Sequence, residues 1–290
     1  MGTISILWYS RRNADLLLEG ININTEVLDA MSMLQKTSRT FYIPITRLTP
    51  GLKEAVSSAY LCMRAIDEIE DHEELADALK AKLLYEIQDA LLAPNMAEAV
   101  EHTFAPYAHQ LPEVSLRLVE WVQLCPETAR DTVIRYTAKM SKEMAEWVEV
   151  QWQIRTEADL DRYTYSVAGM VGELLSELWL WNDGTVTDRE KAVAFGRGLQ
   201  AVNILRNQSE DQQRGVNFFP EGWDSKDMIK YTKRNLKVAD AYIAELNKGP
   251  ARDFCKIPLQ LAHATTKLIA AGGSKLTRDA VLKIVNKISG

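Results

Sequence analysis

Cysteine is scarce in this chain. Cys62, Cys125 and Cys255 stand far apart, are odd in number and form no CxxC pair. This argues against a disulfide framework and a zinc site, and it fits a reducing cytoplasm. Glycine (14) and proline (9) are sparse. They gather at breaks such as Pro50-Gly51, Pro94-Asn95, Pro220-Glu221-Gly222, Gly249-Pro250 and Gly272-Gly273, the places where helices end. Alternating apolar and polar runs are few, which argues against sheets. No apolar run approaches the ~18–20 residues of a membrane span. The segment Met1–Gly20 has only a short apolar run, Ile4–Tyr9, followed by Arg11 and Arg12, so it does not read as a signal peptide. Basic charge is not in excess either: the net charge is −6 with Lys and Arg scattered. Nucleic acid is therefore a poor partner. Neither low complexity nor a 20–50-residue repeat is present.

What is present is helical periodicity. Apolar residues recur three and four apart, as in Val27, Met31, Leu34 and in Leu116, Val119, Val122, the signature of amphipathic helices. The pattern predicts helices at roughly 24–42, 51–72, 76–91, 113–124, 127–154, 157–181, 186–212, 224–247, 250–270 and 276–288, with ends good to about 2–4 residues. Long helices with apolar stripes and short connections imply a bundle. The expected organisation is a weakly structured extension over 1–22 and one all-α domain over 23–290.

Two acidic clusters stand out. The first is Asp67-Glu68-Ile69-Glu70-Asp71. Residues four apart share a helical face, so Asp67 and Asp71 point the same way. A solvated surface patch with Arg64 paired to Asp67 is the plain alternative, since such pairs are common and weak. The apolar neighbours Tyr60, Leu61, Met63 and Ile66 predict burial instead. A buried carboxylate needs a partner, and a divalent cation is the most direct one. The second cluster is Asn207-Gln208-Ser209-Glu210-Asp211. Gln200, Asn203 and Asn207 lie on its stripe, in a helix with apolar Phe195, Leu199, Val202 and Leu205. Polar groups in such a stripe are costly without hydrogen-bond partners; the plain alternative is a capped helix end. Between the clusters, Ala168, Gly169 and Gly172 thin a helix wall in Tyr163–Leu175, at about 1 kcal/mol per glycine. Thinning serves either a ligand or a closely packed helix.

Four stretches together resemble the squalene and phytoene synthases, the head-to-head branch of the trans-prenyl diphosphate synthases. They are Lys36-Thr37-Ser38-Arg39-Thr40-Phe41, Tyr60 through Asp71, Tyr163 through Gly172, and Gln200 through Arg214 running on to Phe218-Phe219-Pro220. They occur in the family's order. The resemblance implies an all-α prenyl-synthase bundle with a central apolar cavity, acting on farnesyl or geranylgeranyl diphosphate with Mg²⁺. It implies Asp67 and Asp71 as Mg²⁺ ligands on one side of the mouth, with Asp211 and Glu210 on the other. Arg39, Arg64 and Arg206 match diphosphate-binding arginines, and Ser38 a hydrogen-bond partner. Gln200 and Asn203 match polar residues lining the site. Tyr163 matches a tyrosine of proton handling or cation stabilisation. Phe41 and Val167–Leu175 would line the prenyl tunnel. A C15 substrate is favoured, because the Tyr60–Asp71 and Gln200–Pro220 stretches look squalene-synthase-like. NADPH use stays open: no glycine-rich fingerprint is present, but the family's reductive members use none. The C-terminal membrane anchor of the family's eukaryotic squalene synthases is not found after the last predicted helix, so the expectation is a soluble, bacterial-type cytoplasmic enzyme, monomer or weak homodimer, whose greasy substrate would permit peripheral membrane contact.

One position departs from the family. Asn207 stands where the second motif usually begins with Asp. An amide oxygen still binds Mg²⁺, but without full charge. At an effective dielectric near 20, one charge at ~4 Å is worth roughly 4 kcal/mol before screening. Asn207 is counted as a weak metal and substrate ligand. Two reactions therefore compete as expectations. Two farnesyl diphosphates condense head to head, through a cyclopropyl intermediate, to squalene or dehydrosqualene. Alternatively, one is ionised and captured by water as farnesol, or cyclised. A third expectation, of another class, is a non-catalytic helical scaffold.

Overall fold

The computed structural model describes residues 25–38, 40–213 and 215–289. The expected extension over 1–22, Arg39 and Arg214 lie outside the described residues. Among the described residues there is no strand, and fourteen α-helices follow one another. The first seven are α1 (Thr25–Thr37), α2 (Tyr42–Thr46), α3 (Leu52–Glu70), α4 (Asp77–Leu91), α5 (Met96–Phe104), α6 (Glu113–Leu116) and α7 (Leu118–Leu124). Then come α8 (Glu127–Glu149), α9 (Glu157–Thr164), α10 (Met170–Asp183), α11 (Arg189–Gln213), α12 (Ser225–Glu245), α13 (Pro250–Ala270) and α14 (Arg278–Ser289). A π-helical segment, Tyr165–Gly169, joins α9 to α10.

The all-α expectation is met, with local corrections. The first predicted helix stops at Thr37, because the Ser38 hydroxyl takes the Phe41 N–H (2.9 Å) and opens a turn before α2. The predicted helix over 113–124 divides at Arg117. The one over 127–154 stops at Glu149, where Gln151 and Trp152 turn left-handed. The one over 157–181 carries the π segment at its centre. Helix α5 was not expected; nine residues between Asn95 and a proline-containing turn gave too little periodicity to read.

Helix α3 is central. Leu61, Cys62, Ala65, Ile66 and Ile69 are all fully buried, and α1, α7 and α8 pack around it. Helices α11 and α12 form another closely packed pair, with α10 and α13 against α11. The start of α9 is fixed by a capping box. Thr156 Oγ1 accepts the Asp159 N–H (3.1 Å), and Asp159 Oδ2 accepts the Thr156 N–H (2.9 Å). Such caps contribute about 1 kcal/mol, and this one sets the rotation of the helix that presents Tyr163. The glycines of the thinned wall serve helix packing. A Cβ on Gly172 would lie 2.1 Å from Ala192 O, and one on Gly196 would lie 2.0 Å from Ala168 O. The backbones of α10 and α11 thus meet at a distance no larger residue permits.

Candidate active site

Helix α3, the π segment with α10, and α11 enclose two joined chambers. The inner chamber, of ≈ 220 Å³, is walled by Phe41, Val56, Met63, Met140, Val171, Leu175, Phe195 and Phe254, among others. The outer chamber, of ≈ 420 Å³, is polar. It gathers Asp67 and Glu70 from α3, Asp71 from its C-cap, Tyr163 from α9, and Arg206, Asn207, Glu210 and Asp211 from α11. Arg64, Asp67, Val167, Gln200 and Asn203 line both, so they mark the throat. Two clusters some 140 residues apart in sequence face one space because α3 and α11 lie on its two sides.

The first cluster is crowded and largely sheltered. Carboxylate oxygens of Asp67, Glu70 and Asp71 lie within 4.8 Å of one another. Burial and the neighbouring Asp71 charge push the Asp67 carboxyl up to about 6, against the pull of Arg64. Arg64 is ion-paired to both Asp67 and Glu68, as the plain alternative also predicted. Glu70 is 4% exposed. Burial first, then Asp71 and Asp67, drive its carboxyl well above the carboxylate range, while the Trp152 N–H and Lys80 oppose the shift. Burial raises the energy of the charged form, and like charges add to it. These hard oxygen donors suit Mg²⁺. Octahedral oxygens at ~2.0–2.1 Å from the ion stand about 3–4 Å apart, so small side-chain rotations close the set.

The second cluster is looser. Asn207 Oδ1 accepts the Arg206 Nε–H (3.1 Å). Glu210 is exposed and ion-paired to Lys275 (2.8 Å), from the loop before α14, which holds its carboxyl below the usual range. Gln200 and Asn203 are hydrogen-bonded, Asn203 Nδ2 donating to Gln200 Oε1 (3.2 Å).

Tyr163 is buried, stacked on Phe218 at 4.6 Å and edge-on to Trp147 at 5.4 Å. Burial, then the carboxylates of Glu70, Asp71, Asp67 and Asp211, raise its phenol well above the ordinary tyrosine value. The phenol therefore stays protonated. Phe41 lines the inner chamber, packed on Tyr60 and Phe254. Ser38 does not line either chamber. It is buried, and its Oγ takes the Phe41 N–H beside the Tyr60 hydroxyl. The structure thus gives Ser38 a turn-forming hydrogen bond. Arg39 falls outside the described residues.

Sequence reasoning passed over Glu70, although it shares the face of Asp67 and Asp71 at i+3. Trp152, Lys80 and Lys275 had no local signal, because they reach the clusters through tertiary packing alone.

This arrangement has counterparts among known proteins. Residues 34–226 match the family described as Squalene/phytoene synthase. The Squalene synthase of Eremothecium gossypii is 28% identical over 85% of this chain and 63% of that protein. Squalene synthase ERG9 of Candida albicans is 33% identical over 78% of this chain and 50% of that protein. This chain spans between half and two thirds of the length of these relatives. The structure of TcSQS with the ligand BPH1237 superposes with a TM-score of 0.73 at 21% identity, covering 91% of this chain and 86% of the other; at that identity it speaks for the fold. With the family match covering most of the chain and both acidic clusters, this protein belongs to the squalene/phytoene synthase family.

Proposed function

We propose that this chain is a prenyltransferase that ionises farnesyl diphosphate with Mg²⁺ and joins two farnesyl groups head to head, through presqualene diphosphate, to squalene or dehydrosqualene. The observation that carries the reading is the junction of the two chambers. An anionic, acid- and arginine-lined space opens into an apolar one across Arg64, Asp67, Gln200 and Asn203. A molecule with a charged diphosphate head and a prenyl tail matches both halves.

Asp67, Glu70 and Asp71 would hold one Mg²⁺, and Asp211 with the neutral amide of Asn207 a second, more weakly. When bound, Mg²⁺ neutralises charge on the leaving diphosphate, where transition-state charge grows. Arg64 and Arg206 add fixed positive charge from the two walls, and the resemblance adds Arg39. Tyr163, locked between Phe218 and Trp147, brings a neutral phenol to the polar chamber. Its raised pKa supports cation stabilisation over action as a phenolate base. Below the throat, the apolar wall excludes the water that would quench an allyl cation.

The test is product analysis. Purified protein is incubated with farnesyl diphosphate and Mg²⁺, with and without NADPH, and extracted with hexane. A C30 product is expected, abolished by chelation; its hydrogen content with NADPH separates squalene from dehydrosqualene. Farnesol alone, or a cyclic C15 hydrocarbon, overturns condensation. The absence of any Mg²⁺-dependent turnover supports the scaffold reading.

A further inference from the structure

Glu70 is held from behind. It lies in the last turn of α3, and the indole Nε1–H of Trp152 donates to its Oε1. Trp152 lines neither chamber. It sits just past α8, where Gln151 and Trp152 both adopt positive φ (52° and 49°), a backbone state that residues with side chains rarely occupy. Such conformations persist where the surroundings fix them, and they cluster at functional sites. Here three contacts fix the turn. The Gln151 N–H donates to Val148 O (2.9 Å), and the Trp152 N–H to Trp147 O (3.0 Å). Lys80, a buried residue of α4, stands 5.5 Å from the centre of the Trp152 ring. A cation over an indole face is attracted by the ring and withdraws electron density, which strengthens the N–H as a donor. Lys80, Trp152 and Glu70 thus form a relay from α4, through the turn, to the cluster.

We propose that Trp152 is a positioning residue that orients Glu70 toward Asp67 and Asp71 and thereby sets the Mg²⁺ affinity of the first cluster. A carboxylate with one oxygen held by the indole has its rotation fixed before any ion arrives, so the third ligand is pre-organised. The inference rests on reading that cluster as a Mg²⁺ site.

The experiment is a calorimetric Mg²⁺ titration with inorganic pyrophosphate present, on the full chain. It compares wild type, Trp152→Phe, Glu70→Ala and the double variant, each first checked by circular dichroism. Trp152→Phe keeps an aromatic ring and removes the N–H. It is expected to weaken Mg²⁺ binding about three- to tenfold when Glu70 is present and to have no effect in the Glu70→Ala background, as expected when one residue acts through another. An equal loss in both backgrounds, or no loss in either, overturns the proposal while leaving the metal site standing. If wild type takes up no Mg²⁺, the metal reading and this inference fall together. Lys80→Met provides a second route should Trp152→Phe not fold. It leaves the indole in place and is expected to weaken binding about twofold, again only when Glu70 is present; equal affinity to wild type overturns the relay.

Discussion

The two acidic clusters have the same skeleton and different surroundings. Positions 67, 70 and 71 on α3 and positions 207, 210 and 211 on α11 repeat one i, i+3, i+4 spacing on opposite walls of one chamber. On α3 all three positions carry carboxylates, the middle one buried and gripped by Trp152. On α11 the first carboxylate is an amide, and the middle one is exposed and paired with Lys275. Equal spacing therefore does not make equal sites. What differs is how much uncompensated negative charge the protein concentrates in one place. The α3 wall crowds three carboxyl groups and raises two of them out of the ordinary carboxylate range; the α11 wall relieves its crowding with an amide and the Lys275 pair.

The largest effect should come from the α3 wall. Asp67→Ala is expected to lower turnover of farnesyl diphosphate by about 10³-fold or more, the scale set by losing a preorganised charge partner in a transition state. The fold should survive, because a like-charge repulsion leaves with the carboxylate. A loss below tenfold in a steady-state assay would make the two walls equivalent after all. Next, Asn207→Asp should restore part of the missing charge. The Mg²⁺ concentration for half-maximal rate should fall several-fold, and the share of C30 product should rise relative to farnesol. If neither moves, Asn207 is not the source of the asymmetry.

A third, smaller effect is on stability. Asp67 titrates near 6 in the fold, against 3.8 for an ordinary Asp. The folded state thus binds this proton more tightly than the unfolded chain. That contribution is fully present below 3.8 and is lost as pH rises through about 6. In chelator, the melting temperature of wild type should fall relative to that of Asp67→Asn as pH is raised across this window, and Mg²⁺ should reverse that difference at about pH 7. A wild-type minus Asp67→Asn difference that does not change from about pH 4 to 7 in chelator would contradict the crowding described for α3. The smallest effect is expected from Lys275→Met. An exposed ion pair contributes about 0–1 kcal/mol, so chemical denaturation should barely change, while the Mg²⁺ requirement should ease by about twofold as Glu210 is released.

Much of this was legible in the sequence. Helix periodicity and the scarcity of glycine and proline carried the all-α architecture. The four stretches that resemble the family placed Asp67, Asp71, Arg64, Gln200, Asn203, Arg206 and Asp211 around one space. The rest was hidden for physical reasons. The helix over 157–181 did not reveal its π segment, because a single wider turn shifts the apolar stripe by only one position, within the roughly 2–4-residue tolerance of such a reading. Ser38 matched a ligand-binding stretch, but a serine beside a helix end also hydrogen-bonds backbone, and here it does. Gly172 reads equally as room for a substrate or for a helix until the Ala192 carbonyl is seen against it. Trp152 and Lys275 belong to no pattern: their importance is a matter of which distant carboxylate they happen to meet.

The seam between α10 and α11 has a consequence for any effort to change what the protein accepts. With Gly172 and Gly196 each pressed against a facing backbone carbonyl, that wall of the inner chamber is all main chain at its closest point. At Gly172 and Gly196 it can neither retreat nor be carved back, although Val171, Leu175 and Phe195 beside them still present side chains. Any gain in chamber length must be won away from that seam, where Met63, Met140, Leu175 and Phe254 present side chains that can be shortened. The chamber is a mould fixed along one seam and adjustable around it, and selection or engineering for a longer apolar ligand has the surrounding side chains to work on.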